Sequence, residues 1–229
     1  MQKVFASSFE EGFYDYNGIS ELTCPNGWTP VWTKTQGKGL MHRPEFDMKD
    51  KQKGQPEVRT GRYAANFFTT YATHDAALYR RFRVGVGRGI RASVWCMGVT
   101  HDPLGIDGGH GMQIGIDPTG GTDHTAPTVI YGDWWSSYMK DQGWKERLWK
   151  QVSTEAVSQA DEITIFLRAR CDYKAEINAS HWDDFEIEIG AASEIKPRLT
   201  TPATEPNAMT LAQLEAYIRQ IVRDELSKV

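Results

Sequence analysis

Cysteine is scarce in this 229-residue chain: Cys24, Cys96 and Cys171 are odd in number, widely spaced and without a CxxC pair. That excludes a disulfide framework and a cysteine zinc site, and leaves room for one bridge at most. No apolar run approaches the roughly 18 residues that a membrane-spanning helix needs. Positive charge is not in excess, with 26 Lys+Arg against 30 Asp+Glu and a net charge of −4, so no basic field attracts nucleic acid. The stretch from Met1 to Glu10 holds one lysine and no apolar core, so it reads as a strand and not as a secretion signal. Catalytic signatures are missing as well. There is no GxSxG elbow, no HExxH pair, and Gly85-Val86-Gly87-Arg88-Gly89 lacks both fingerprint spacing and a following helix. Carboxylates are plentiful, but nothing in the sequence pairs two of them across a cleft as glycoside hydrolysis requires.

Aromatic and turn residues are abundant: 8 Trp, 9 Tyr and 9 Phe stand beside 21 Gly and 10 Pro. Short alternating runs fill the chain to about residue 190. They are Val4–Ala6, Trp28–Thr35, Glu57–Phe68 with an internal glycine, Ala77–Val84, Ile90–Met97, Gly111–Asp117, Leu148–Thr154, Glu162–Ala169 and His181–Ile189. Eight or nine strands without helical segments between them predict an all-β antiparallel sandwich, with the first and last strands pairing. Trp95 and Trp182 sit in alternating strands and are expected in the core, with Trp28 half-buried. Arg80, Arg81, Arg83, Arg88 and Arg91 are expected to line one polar sheet face.

Composition shifts after Gly190, so the sandwich is expected over residues 1–192 and a proline-rich linker over 193–209. Thr210-Leu211-Ala212-Gln213 then forms a capping box, and Leu211, Leu214, Ile218, Ile221, Val222, Leu226 and Val229 make one apolar stripe. This C-terminal amphipathic helix over 210–229 needs a partner surface, either its own sandwich or a second copy of the chain. The linker favours a projecting tail that forms a homo-oligomer.

Two clusters stand apart from the strands. His101, Asp102, Asp107, His110, Asp117, Asp123, His124 and Asp133 have the chemistry of transition-metal ligands, but the glycines among them favour solvated turns. Tyr131, Asp133, Trp134, Trp135, Tyr138 and Trp144 crowd together with Gly, Ser and Lys, a mixture unlike regular core. Amphipathic rings in a loop suit the binding of a glycan or a protein. The same rings also suit a loop folded back over a sheet.

Several segments together carry a resemblance. Ser8-Phe9-Glu10-Glu11-Gly12-Phe13 with Asn26-Gly27-Trp28, then Thr60-Gly61-Arg62-Tyr63-Ala64, Ile90–Trp95, Ile163–Leu167 and Trp182-Asp183-Asp184-Phe185 follow in order. The set resembles carbohydrate-binding-module-like jelly rolls of the galactose-binding-domain fold. It departs at Ser8, where the family has Asn, and in the long inserts 36–56 and 100–147. The resemblance implies a jelly roll that binds a polysaccharide without catalysis. It also implies a structural Ca2+ between Glu10 and Asp183, with Asp184 as alternative ligand; hard cations take several such oxygens. The simpler reading has these carboxylates accepting backbone hydrogen bonds where the termini meet. The expected function is therefore non-catalytic glycan binding through Tyr131, Asp133, Trp134, Trp135, Tyr138 and Trp144. The alternative is a structural or adhesive surface protein, such as a phage decoration or fibre component of a virion, assembled through residues 210–229. Either use favours an extracellular or virion-surface setting.

Overall fold

The structure, a computed structural model, describes residues 1–34, 41–101, 110–135, 148–172 and 174–195. The expected linker beyond residue 195 and the helix over 210–229 lie outside the described residues. The strands are β1 (Gln2–Ser7), β2 (Phe13–Asp15), β3 (Thr23–Pro25), β4 (Thr29–Trp32), β5 (Glu45–Asp50), β6 (Tyr63–Thr69), β7 (His74–Arg83), β8 (Arg88–His101), β9 (His110–Asp117), β10 (Ile130–Tyr131), β11 (Lys150–Val157), β12 (Glu162–Cys171) and β13 (Ile177–Ala191). One sheet runs β11-β8-β13-β6-β5, with β1 beside the second half of β13; the other runs β10-β9-β12-β7-β4. All these pairs are antiparallel, and the chain crosses repeatedly from sheet to sheet, as β6, β7, β8, β9 and again as β11, β12, β13. This is a jelly-roll sandwich, and its first and last strands, both at the ends of the domain, pair with each other.

Period-two alternation explains the packing. On β12 the buried Ile163, Ile165, Leu167 and Ala169 face the core, while Arg168 and Arg170 face outward. β13 departs from the strict alternation expected for it. A bulge lies between Asp183 and Glu186, and Asp184 takes φ 48. The inserted residue shifts the phase so that Trp182 and Phe185, three apart, both point inward. Phe185 then meets Trp28 edge-on at 5.1 Å between centroids and also touches Phe5 and Phe82, while Trp182 stacks on Phe67 at 6.1 Å.

Four expectations change. Trp28 is fully buried, not half-buried. Trp95 is outward on β8 because Val94 and Cys96 hold the inward phase, and it is only partly covered. The run 57–68 is not one strand: pairing starts at Tyr63, and Gly61 turns the chain at φ +62, a conformation that favours glycine. The arginines divide between the sheets, Arg80, Arg81 and Arg83 on β7 but Arg88 and Arg91 on β8.

Phe185 touches both sheets and β1, so Phe185→Ala should cost about 3–5 kcal/mol. Urea unfolding measures it, and a loss below about 1 kcal/mol would refute this role for the ring.

Candidate functional site

The outer face of the six-stranded sheet carries a cleft of about 350 Å³. Its floor comes from two cross-strand rows. Asn66 on β6 lies opposite His181 on β13, and Phe68 lies opposite Ala179, which in turn faces Val99 on β8. Lys49 forms a wall, its ammonium 2.9 Å from Asp47 and 5.9 Å from the Phe68 ring centroid. Gly54, Gln55, Pro56 and Glu57 form the roof. Asn66 is 1% exposed, and neither its amide nitrogen nor its amide oxygen has a hydrogen-bond partner. Buried amides are nearly always satisfied, so this one is an exception among the residues that line the cleft.

The roof belongs to a strap, residues 51–62, that is tied down at several points. Asp50, itself buried, accepts from Gln52 N at 2.9 Å and holds the Arg62 guanidinium through both oxygens, at 3.0 and 2.9 Å. The Gln55 side chain accepts from Asp50 N at 2.8 Å. Asp183 Oδ2 accepts from the backbone N–H groups of Arg59 and Thr60 at 2.9 and 3.0 Å, and Oδ1 from that of Asp184 at 2.8 Å. Glu10 Oε1 accepts from Arg62 N and Tyr63 N, both at 2.8 Å. Asp184 pairs with the Arg59 guanidinium and accepts from the Thr60 hydroxyl at 2.5 Å. The same guanidinium lies 3.8 Å above the Trp95 ring. Burial pushes the Asp183 carboxyl up to about 7 and Asp184 adds to this, while the N–H donors offset part of it. The residues expected to hold calcium therefore hold the roof of the cleft, through protons that point at their oxygens.

The opposite face, on the five-stranded sheet, gathers the aromatic loop. Asp75 on β7 and Arg168 on β12 form a two-pronged pair at 2.8 and 2.6 Å. His124 Nε2 stands 3.3 Å from Asp75 and 3.2 Å from the Thr33 hydroxyl. The Arg168 guanidinium is 5.1 Å from the Tyr131 ring centroid and 5.4 Å from that of Trp134. Burial alone would raise Asp75, but the bonds from Arg168 and His124 outweigh it and hold this carboxyl far below the usual range. Tyr131 donates to the His124 carbonyl at 2.6 Å, and burial pushes its phenol up. Trp134 lies over Gly111 and Tyr131 over Gly115, where any Cβ would run into the ring. Tyr131 and Trp134 therefore lie against the sheet and stay partly exposed. Trp135 turns inward beside Met112, Asp133 is exposed, and Tyr138 and Trp144 lie outside the described residues.

The solvated-turn expectation is corrected for three residues, because His110, Asp117 and His124 are buried. Asp117 is spent on its own turn, accepting from Thr119 N at 2.8 Å and from the Thr128 hydroxyl at 2.9 Å. The His101 side chain, Asp102 and Asp107 lie outside the described residues. Sequence reasoning passed over Asn66 and Phe68; the legible signal was an amide set between Ala65 and Phe67 in a strand otherwise apolar.

No protein-family model and no curated protein matches the chain. Solved structures similar to it include carbohydrate-binding modules. The CBM22-1 xylan-binding domain of Paenibacillus barcinonensis Xyn10C shares 14% identity, with 83% of this chain and 96% of that one covered and a TM-score of 0.46. TmCBM61, solved in complex with beta-1,4-galactotriose, shares 16%, with 72% and 90% covered and a TM-score of 0.44. The K1 cleaved adhesin domain of Lys-gingipain from Porphyromonas gingivalis W83 shares 13%, with 80% and 96% covered and a TM-score of 0.49.

Arg168→Gln would remove the cation facing the buried Asp75 carboxylate and leave only the His124 ring beside it, and should cost about 3–5 kcal/mol in urea unfolding. Adding Asp75→Asn should recover part of that loss, since no lone charge then stays buried; two losses that simply add would show that the pair is not coupled.

Proposed function

We propose that this chain is a non-catalytic carbohydrate-binding sandwich whose glycan lies in the cleft of the six-stranded sheet. The observation that carries the reading is the Asn66 amide, buried with both polar atoms unpartnered on the cleft floor beside the Phe68 ring. A pyranose has an apolar C–H face and a rim of hydroxyls, each of which donates and accepts. Neighbouring hydroxyls match an amide that offers one donor group and one acceptor, and the C–H face matches a phenyl ring. The volume falls at the lower end of ordinary ligand sites, enough for a short stretch of a chain. Among the described residues lining the cleft Glu57 is the one carboxylate, which supports binding without hydrolysis. Tail-driven assembly, the basis of the adhesive surface-protein alternative, would multiply a weak site of this kind by avidity.

The xylan-binding domain and the galactotriose-bound module suggest the first probes, xylo- and galacto-oligosaccharides, by calorimetry. Asn66→Ala and Phe68→Ala should each weaken binding by about tenfold or more, the loss expected when a hydrogen-bonding or stacking partner is removed. Trp134→Ala should leave it unchanged. Binding that survives both cleft substitutions would overturn the assignment.

Calcium between Glu10 and Asp183 is a separate proposal that rests on the resemblance. If the ion binds, millimolar Ca2+ should raise the melting temperature by several degrees over EGTA. A melting temperature unmoved by EGTA would count against it and leave these carboxylates as acceptors of their five backbone N–H bonds.

A further inference from the structure

At one end of the sandwich interior the packing is polar. His74 on β7, Cys171 on β12 and His110 on β9 lie side by side in one cross-strand row, facing inward, at 0%, 1% and 3% exposure. The other sheet presents Thr69, Asn178 and Thr100 in a matching row. Thr69 spans the gap, its hydroxyl 2.9 Å from His74 Nδ1. That hydroxyl has one proton and gives it to the Ala72 carbonyl at 2.9 Å, so it accepts from His74. The proton of His74 is therefore on Nδ1, and the Nε2 lone pair is bare. His74 Nε2, both nitrogens of His110 and the Thr100 hydroxyl have no hydrogen-bond partner. Four orphaned polar atoms in one sealed region ask for an occupant, a water or an ion.

The two imidazoles stand 5.9 Å apart between centroids at 71° between planes, a separation that two rings sharing one ion about 2.0–2.1 Å from each nitrogen can adopt. Thr69 plays the part of the outer partner that orients a metal-binding histidine and sets its tautomer.

We propose that His74 and His110 are ligands of an interior site for a borderline divalent transition metal such as zinc, with the Cys171 thiol, in register between them, turning in as the third. Nitrogen and sulfur ligands select such ions over calcium or magnesium. Among the described residues no three His, Cys, Asp or Glu side chains already converge on one point, so loading requires the side chains of this row to turn toward one another. On loading the S–H bond breaks, an S–metal bond forms, and the proton leaves to solvent. The site lies between the sheets and is independent of glycan binding on the outer face.

Untagged full-length protein, stripped with EDTA, is titrated with Co2+ and followed by absorption. One cobalt ion per chain is expected, with visible d–d bands and a near-ultraviolet sulfur-to-cobalt band, both abolished when Zn2+ displaces it. Cys171→Ser should keep the visible bands and lose the ultraviolet one, while His74→Gln and His110→Gln should abolish binding. Zn2+ should raise the melting temperature of the wild-type protein by several degrees over EDTA, a readout that stands even if a variant fails to fold. No cobalt spectrum together with no thermal shift would mean that the pocket holds water only, and would overturn the proposal. Cobalt binding undiminished in folded His74→Gln and His110→Gln would overturn it equally.

Discussion

The buried carboxylate of Asp183 is the constraint around which the face that carries the cleft is arranged. It sits where β13 bulges, and its bonds from the backbone N–H groups of Arg59 and Thr60 fasten the strap of residues 51–62 across the six-stranded sheet. The bulge does two things at once. It turns both Trp182 and Phe185 into the core, and it brings Asp183 and Asp184 to the strap, where Arg59 is held between Asp184 and the Trp95 ring. Core packing and the roof of the cleft thus depend on the same inserted residue. A carboxylate fed by backbone donors is a rigid fastening, because neither the strand nor the strap can shift without leaving a buried charge unpaired.

The two outer faces have opposite fates. On the five-stranded sheet Gly111 and Gly115 remove the side chains that would keep a loop away, so Trp134 and Tyr131 settle on the backbone and enclose Arg168. The Asp75–Arg168 pair is thereby screened from water and holds the loop down. On the six-stranded sheet the covering strap leaves a cleft above the floor, and Asn66, its amide without a partner, belongs to that floor. The most conspicuous rings thus lie on one face and the cleft on the other.

Much of the fold was legible because burial in a two-layer β structure writes itself as alternation. The runs at Ile90–Met97, Gly111–Asp117, Glu162–Ala169 and His181–Ile189 are all strands, and β1 does pair with β13. Glu10 and Asp183 stand out only through the resemblance, as a calcium pair or as acceptors where the termini meet; the backbone donors from Arg59, Thr60, Arg62 and Tyr63 became legible only in the tertiary structure. Alternation fails where phase is decided by a partner strand: Trp95 and Trp182 look alike in sequence, yet one is outward and the other inward. β5 was hidden in what reads as an insert, because Glu45–Asp50 has one fully buried apolar residue, Phe46, and takes its strand form from pairing with β6. The candidate site was less legible still. Tyr131, Trp134 and Trp135 attract notice by their density, but density does not say which way a ring turns.

What the sequence by itself determined is the layer architecture: up to about residue 190, period-two burial, turn residues at short intervals and the absence of helical periodicity point to stacked antiparallel sheets. What the tertiary structure alone decided is which polar groups lie unsatisfied and where. Asn66 meets His181, and His74 meets Cys171 and His110, across strands far apart in the chain, and no spacing along a sequence records a register between strands. A side chain's chemistry is local, but its desolvation and its partners are set by the whole sandwich.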